Sequence, residues 1–407
     1  MTPPINGPVT DWAIDFDHTD SAYNPNAPAI WASLRGHCPV AHTERYGGAW
    51  LPLTHEFIRE IAYDTEHFSS EGIIVGSDRP TVPRPAGAAP PITSDPPFHA
   101  QARRLLLPAF SPKRIALLEP DIRALCRKLL DTLSSVKNDT QVIEVAQRYA
   151  RHVPVNVIAK MIGLPPEDEE LFHSFLSGIL EDVNLPPEQM AANRDRLDAY
   201  LDVQIADHRK RPRDDLISFL IDARLEGNPL EPQHIRGSIA LMLLAGIDTT
   251  WSVIGSSLWH LASHPKDLKR LVNEPTLMSV AVEEFLRAYA PVTMARLVVG
   301  DYDFHGRHMK KNDWVLLPFP AANRDPAAFD YADEVQIDRE NNRHAAFGLG
   351  IHRCIGSNLA RLELRIALEE FIQRFPSFEL VDSKAVEWSV GQIRGPRRLE
   401  IQVHSAL

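Results

Sequence analysis

The stretch from Gln233 to Ser263 constrains the fold more than any other part of the chain. It reads as one helix, with no internal proline and a stop at His264-Pro265. At ~1.5 Å rise per residue it spans roughly 45 Å, the width of a whole domain. Its centre, Ile239 to Ile247, is apolar on every side, a pattern shared by fully buried helices and membrane spans. The apolar run is too short to span a bilayer. Such a helix must cross a core, and everything else has to pack around it.

The remaining chain supplies that surround. From His99 to Leu225 the periodicity is mainly helical, broken at Pro108, Pro112, Pro120, Pro154, Pro165-Pro166 and Pro186-Pro187. A further helix from about Thr276 to Tyr289 stops before Pro291. Gly48 to Leu53 is strand-like, Arg296 to Leu317 alternates with turns at Gly306 and Asn312-Asp313, and Phe378 to Val403 reads as short strands around a Gly391 to Pro396 turn. Arg79 to Pro97 forms a long proline-rich tract, the kind of loop that serves as a flap over a site or stays disordered. No linker or repeat divides the sequence, so residues 1–407 are expected to form one domain, mainly α with minor β.

Charge and cysteine usage narrow the function classes. A net charge of −11 disfavours general binding to nucleic acid or an anionic membrane. Cys38, Cys126 and Cys354 form no close-spaced framework, which suits a reducing compartment. Met1 to Trp12 shows neither a signal-peptide pattern nor an anchor. A soluble, cytoplasmic protein is the expectation.

Two constellations carry chemistry. In Phe347-Gly348-Leu349-Gly350-Ile351-His352-Arg353-Cys354-Ile355-Gly356, a glycine-hinged loop delivers one cysteine to the start of an amphipathic helix that ends near Pro376. The helix dipole and free amides there are expected to lower the thiol pKa, and the glycines at 348, 350 and 356 to let backbone approach a flat ligand. Position 353 is Arg, so the dinucleotide fingerprint G-x-G-x-x-G fails. The second constellation is Ala245-Gly246-Ile247-Asp248-Thr249-Thr250, which sets a carboxylate and two hydroxyls inside the apolar helix, where unpaired polar groups are costly. A glycine beside a hydroxyl that bonds back to a carbonyl loosens a helix locally and makes room for a small ligand. No G-x-S-x-G or H-E-x-x-H occurs, so hydrolase readings lack support.

Both motifs resemble those of the cytochrome P-450 superfamily: F-x-x-G-x-x-x-C-x-G is met in full, as is A-G-x-D-T-T. The resemblance covers nearly the whole chain and implies the P-450 fold, with the long helix crossing over a buried haem b ligated by Cys354. It implies Asp248 and Thr249 as a proton-relay pair, with Thr249 donating to bound oxygen. Ala245, Phe347, Gly348 and Gly356 are implied to border the haem, and His99, Arg103, Arg296 and His352 to hold its propionates. Glu284 and Arg287 match the E-x-x-R pair that braces the cysteine loop, with Arg339 as a looser third member.

Leu241, Leu244, Ala245, Val292 and Met294 are implied substrate contacts, with Ile73, Ile74, Val75, Leu176, Ile179 and Leu180 as a roof. Hydroxylation or oxidative demethylation of a small, largely apolar substrate is then expected, using O2 and electrons from a separate ferredoxin and ferredoxin reductase. Arg104, Lys113, Arg114, Arg353 and Arg361 form a candidate docking face. The rivals are a peroxide-driven relative, which the intact acid-alcohol pair disfavours, and a haem sensor or electron carrier.

Overall fold

Pro232–Ser263 is a single 32-residue helix, and from Ile247 onward almost every side chain on it is buried. The structure is a computed structural model that describes residues 7–76, 87–133, 140–181 and 185–404. Among the described residues this is the one helix long and apolar enough to cross a bilayer, and it lies inside the protein body. Close packing explains its glycine: a Cβ on Gly246 would meet Ile158 Cγ1 at 2.9 Å, so the helix His152–Ile162 approaches closely there.

Around this helix lie Phe98–Leu106, Glu119–Leu133, Pro187–Lys210, Met278–Ala288 and Ser357–Arg374, all joined by one continuous apolar core. A five-stranded sheet stands to one side in the order Val40–Thr43, Ala49–Pro52, Trp314–Pro318, Thr293–Val298, Phe68–Ser69. The expectation of a mainly helical body with small sheets in a P-450 fold holds.

Local differences have physical reasons. Inside the stretch expected to be helical, Thr140–Glu144 is a strand, because it pairs antiparallel with Glu400–His404 at the other end of the chain. Only that distant partner makes it a strand. The helix expected from Thr276 begins at Met278, after a 3₁₀ turn at Pro275–Leu277. Within the proline-rich tract, residues 77–86 lie outside the described residues. The part after them packs on the central helix: Ser238 Oγ donates to the Pro90 carbonyl at 3.0 Å, and a Cβ on Gly237 would meet the Ala88 oxygen at 2.4 Å.

The cysteine loop is braced by a buried ionic network. Glu284 accepts two bonds from Arg287 at 2.7 and 2.8 Å, one from Arg339 Nε at 3.0 Å, one from Asn342 at 3.0 Å and one from the Gln336 amide at 2.8 Å. Arg287 in turn donates to the carbonyls of Asn323, Ala332 and Glu334. Both side chains are fully buried. Removing one partner of such a pair strands the other in a low-dielectric interior. Glu284→Ala is therefore expected to lose about 3–5 kcal/mol of stability in urea denaturation; a loss under about 1 kcal/mol, the range of a solvated pair, would show that the network is dispensable.

Candidate active site

One cavity of about 1670 Å³ gathers most of the residues singled out in the sequence. Ala245, Leu241, Leu244 and Thr249 reach it from one face of the central helix, at helical spacing. Val292, Met294 and Arg296 line it at and beside strand Thr293–Val298, His99 and Arg103 from one face of Phe98–Leu106, and Phe347, Gly348, His352, Cys354 and Gly356 from the loop. Ile73, Ile74, Val75, Ile179 and Leu180 are also in the wall. Leu176 is not: it is buried in the core, one turn too early along its helix.

The loop owes its shape to backbone. Gly350 has φ +70°, and a Cβ there would sit 2.2 Å from the Ala62 carbonyl oxygen. Gly348 is also left-handed, at +72°. Gly356 has an ordinary φ of −82°, so its part is different: its N–H donates to the Cys354 sulfur. Cys354 N–H donates to the Phe347 carbonyl at 2.7 Å, closing the loop. Of the three cysteines, only Cys354 opens onto the cavity. Contrary to the expectation from the helix dipole, its thiol is pushed up. Burial outweighs the Gly356 amide and the positive charges of Arg103, Arg353 and Arg361. A bare thiolate is thus costly here, and a cation bound to sulfur would offset that cost.

A further part of the cavity wall is a cluster of donors, with the charge of Asp95 acting on Arg296 and His99. Arg296 is buried; among the described residues its guanidinium bonds only the Ala295 carbonyl, and burial lowers its pKa to about 10 against the pull of Asp95. His99 and His352 pack edge to face at 4.3 Å, and the Nε2 of each is buried without a partner. Desolvation, then repulsion from neighbouring positive groups, pushes His99 to about 4 and His352 to about 2. Arg103 reaches the Arg353 carbonyl at 2.6 Å. Three elements converge here with unmet capacity for an anion, and a flat cofactor carrying carboxylates at one edge and a metal at its centre fits this cluster and the Cys354 sulfur together.

Thr249 Oγ1 donates back to the Ala245 carbonyl at 2.8 Å, the back-bond expected of it, while the helix runs on without a break. Asp248 departs from expectation. Its side chain is buried and is not part of the cavity wall, and Arg397 Nη2 holds its Oδ1 at 2.6 Å. Burial raises its pKa to about 6, against the pull of Arg397 and with a further push from Glu181. Oδ2 has no partner. Arg397 also donates to Ser252 and Glu181 and stacks over Trp251 at 4.2 Å. In the candidate docking set, Arg104, Lys113, Arg114 and Arg353 are exposed. Arg361 is engaged internally: it pairs with Glu283 at 2.6 Å and stacks over Phe347 at 4.4 Å.

Several cavity residues escaped the sequence reading, Gln392, Trp314 and Glu363 among them. Glu363, nine residues beyond Cys354, lines the cavity wall, fully buried, with the Thr250 hydroxyl as its hydrogen-bonding neighbour. Its signal was an acid on the apolar face of an amphipathic helix, seven residues before Glu370, which is buried too but paired with Arg123 and Arg127.

A family model for cytochrome P-450 matches residues 188–392. The chain is 33% identical over 352 residues to a probable cytochrome P-450 127A1 of Sinorhizobium fredii, covering 86% of this chain and 82% of the relative. It is 31% identical to the mycinamicin IV hydroxylase/epoxidase of Micromonospora griseorubida, covering 87% and 89%. Among solved structures, CYP109E1 of Bacillus megaterium in complex with testosterone superposes with a TM-score of 0.85 at 30% identity, covering 94% of this chain and 98% of that one. Fold, cavity and these likenesses agree that the chain belongs to the cytochrome P-450 family. Members are haem-thiolate monooxygenases, with haem held by a cysteine thiolate.

Burial pushes the Glu363 carboxyl to about 8, from an ordinary 4.5. Between those values the folded state keeps a proton that the unfolded state has released. Stability therefore falls as pH rises through that window, by up to about 1.4 kcal/mol per unit. Glu363→Gln is expected to remove this slope, gaining stability over the wild type at about pH 8.5 but not at about pH 5 in urea melts. Parallel pH dependence in both proteins would show that the carboxyl is not held neutral.

Proposed function

We propose that this chain hydroxylates, or oxidatively demethylates, a largely apolar organic substrate, using O2 and electrons delivered by a separate ferredoxin and ferredoxin reductase. The observation that carries the reading is the single chamber into which Cys354 opens beside a donor-rich cluster of Arg296, Arg103, His99 and His352, with the Nε2 of both histidines buried and unpartnered among the described residues. Its volume, about 1670 Å³, exceeds the roughly 300–1,000 Å³ of ordinary ligand pockets, as suits a chamber shared by a cofactor and a substrate. A relative named a mycinamicin IV hydroxylase/epoxidase and a neighbour solved in complex with testosterone support an organic substrate in such a chamber.

The haem, when bound, supplies the oxygen-activating chemistry. Cys354 would ligate the iron, while Arg296, Arg103, His99 and His352 would hold the propionates. The chain's own residues do the rest. Leu241, Leu244, Val292 and Met294 form an apolar wall that orients substrate by shape and excludes water. Thr249 holds a hydroxyl proton at the cavity surface, now given to the Ala245 carbonyl and free to turn inward by rotation about χ1. Asp248, raised to about 6 by burial while Arg397 holds it, can exchange a proton near neutral pH. No step requires a charged group on the substrate. A soluble, cytoplasmic enzyme is part of the same proposal, and it is supported by the burial of the one long apolar helix among the described residues.

The reduced, carbon monoxide-treated protein is expected to show the long-wavelength Soret band of a thiolate-ligated haem, and Cys354→Ala to lose it; a histidine-type band, or no haem in the wild type, overturns the assignment. In Thr249→Ala, product formed per reductant consumed is expected to fall several-fold, with peroxide released instead. Turnover of a hydroxylated substrate by peroxide alone, faster than with reductant and ferredoxin, would replace the dioxygen reading with a peroxide-driven one.

A further inference from the structure

We infer that Gln392 is a specificity-determining positioning residue: its side-chain amide ties the Ile73–Val75 wall of the cavity to the Val292–Met294 wall. This rests on the monooxygenase reading for its consequence but not for its geometry. Gln392 is nearly buried in the turn between the last strands. Its Oε1 accepts from the Val75 amide at 3.0 Å, and its Nε2 donates to the Ile73 carbonyl at 3.0 Å and the Thr293 carbonyl at 2.8 Å. Both amide hydrogens and one acceptor are thereby used, on two segments more than two hundred residues apart in sequence.

The main chain shows why the side chain matters separately. The Thr293 amide donates to the Gln392 carbonyl at 2.8 Å, the Arg394 amide to the Pro291 carbonyl at 2.7 Å, and Val292 bridges Ile393. The turn is therefore zipped to Pro291–Thr293 by backbone alone. Residues 73 and 75 are reached from this turn by the Gln392 side chain. On its other flank the same segment rests on Trp314, whose Nε1 donates to the Gly76 carbonyl at 3.0 Å and whose ring would meet a Cβ on Gly72 at 2.7 Å. With Trp314 on one flank and Gln392 on the other, Ile73 and Val75 stand at fixed distances from Val292 and Met294.

An apolar pocket discriminates by shape, and a misfit of one methylene is worth on the order of ten-fold only if the walls do not yield. Without the amide, the Val75 N–H and the Ile73 and Thr293 carbonyls lose a shared partner, and the segment shifts to meet water instead. The wall then moves.

The test uses full-length protein and two probes that ligate haem iron through an azole nitrogen, rigid 4-phenylimidazole and flexible 1-dodecylimidazole. Gln392→Leu keeps volume without polarity, and Gln392→Asn keeps the amide without its reach. Each is expected to change the ratio of the two dissociation constants by on the order of ten-fold, with haem content and the carbon monoxide spectrum unchanged and with faster hydrogen exchange at the Val75 amide. An unchanged ratio with slow Val75 exchange in either folded variant overturns the inference, as does a lowered Tm with no change in ratio, which marks a merely structural role. Wild type that takes up no haem sinks the monooxygenase reading, and Val75 exchange still decides the clamp.

Discussion

The Glu284 carboxylate is the point on which the cysteine loop depends. Four groups donate to it, and through Arg287 the network fixes the carbonyls of Asn323, Ala332 and Glu334. Asn323 then accepts the Ala345 amide at 2.7 Å, and Gly348 N–H bonds the Ala345 carbonyl. Glu283, next in sequence, holds His344 and Arg361 on the two sides of the loop. A loop with two left-handed glycines has little regular structure of its own to place a sulfur atom. Its position is imposed by charge buried one helix away, which is why an irregular segment can serve as a rigid ligand.

Electrostatics divides the interior into two regions. Around Glu284 every charge is matched and hydrogen-bonded, so the cost of burying it is met locally. At the cavity edge the matching is incomplete: the charge of Asp95 acts on Arg296 and His99, but among the described residues no carboxylate hydrogen-bonds Arg296 or the Nε2 of either histidine. A protein does not keep such groups buried for stability, since burial alone depresses all three. The contrast between the two regions separates scaffold from binding site without reference to any relative.

The sequence made local features legible. The central helix was visible from its unbroken apolar run, the loop from its glycines, and the E-x-x-R pair from its spacing. What stayed hidden depended on contacts across the chain. Thr140–Glu144 carries β-branched Thr140, Val142 and Ile143, but so short a run inside a helical stretch becomes a strand through its partner at Glu400–His404. The direction Asp248 faces is set by Arg397, which no pattern within the helix announces. The thiol pKa went the other way because the dipole argument considers one helix end, whereas desolvation sums over everything packed nearby.

The turn and strand near the C-terminus show how far such long-range control extends. Within six residues Gln392 bonds Ile73, Val75 and Thr293 and Arg397 holds Asp248, and a close seat lies between them. A Cβ on Gly395 would lie 2.3 Å from Ser252 Cβ, and Pro396 fills the space left by Gly255. Absent side chains at 395 on the turn and 255 on the central helix let the two surfaces meet. Once they meet, the amide at 392 reaches the cavity wall and the guanidinium at 397 reaches Asp248 beneath it, both from one short segment. In a fold where the catalytic motifs lie on the central helix and the cysteine loop, this segment is where one member of the family can differ from another without touching either motif.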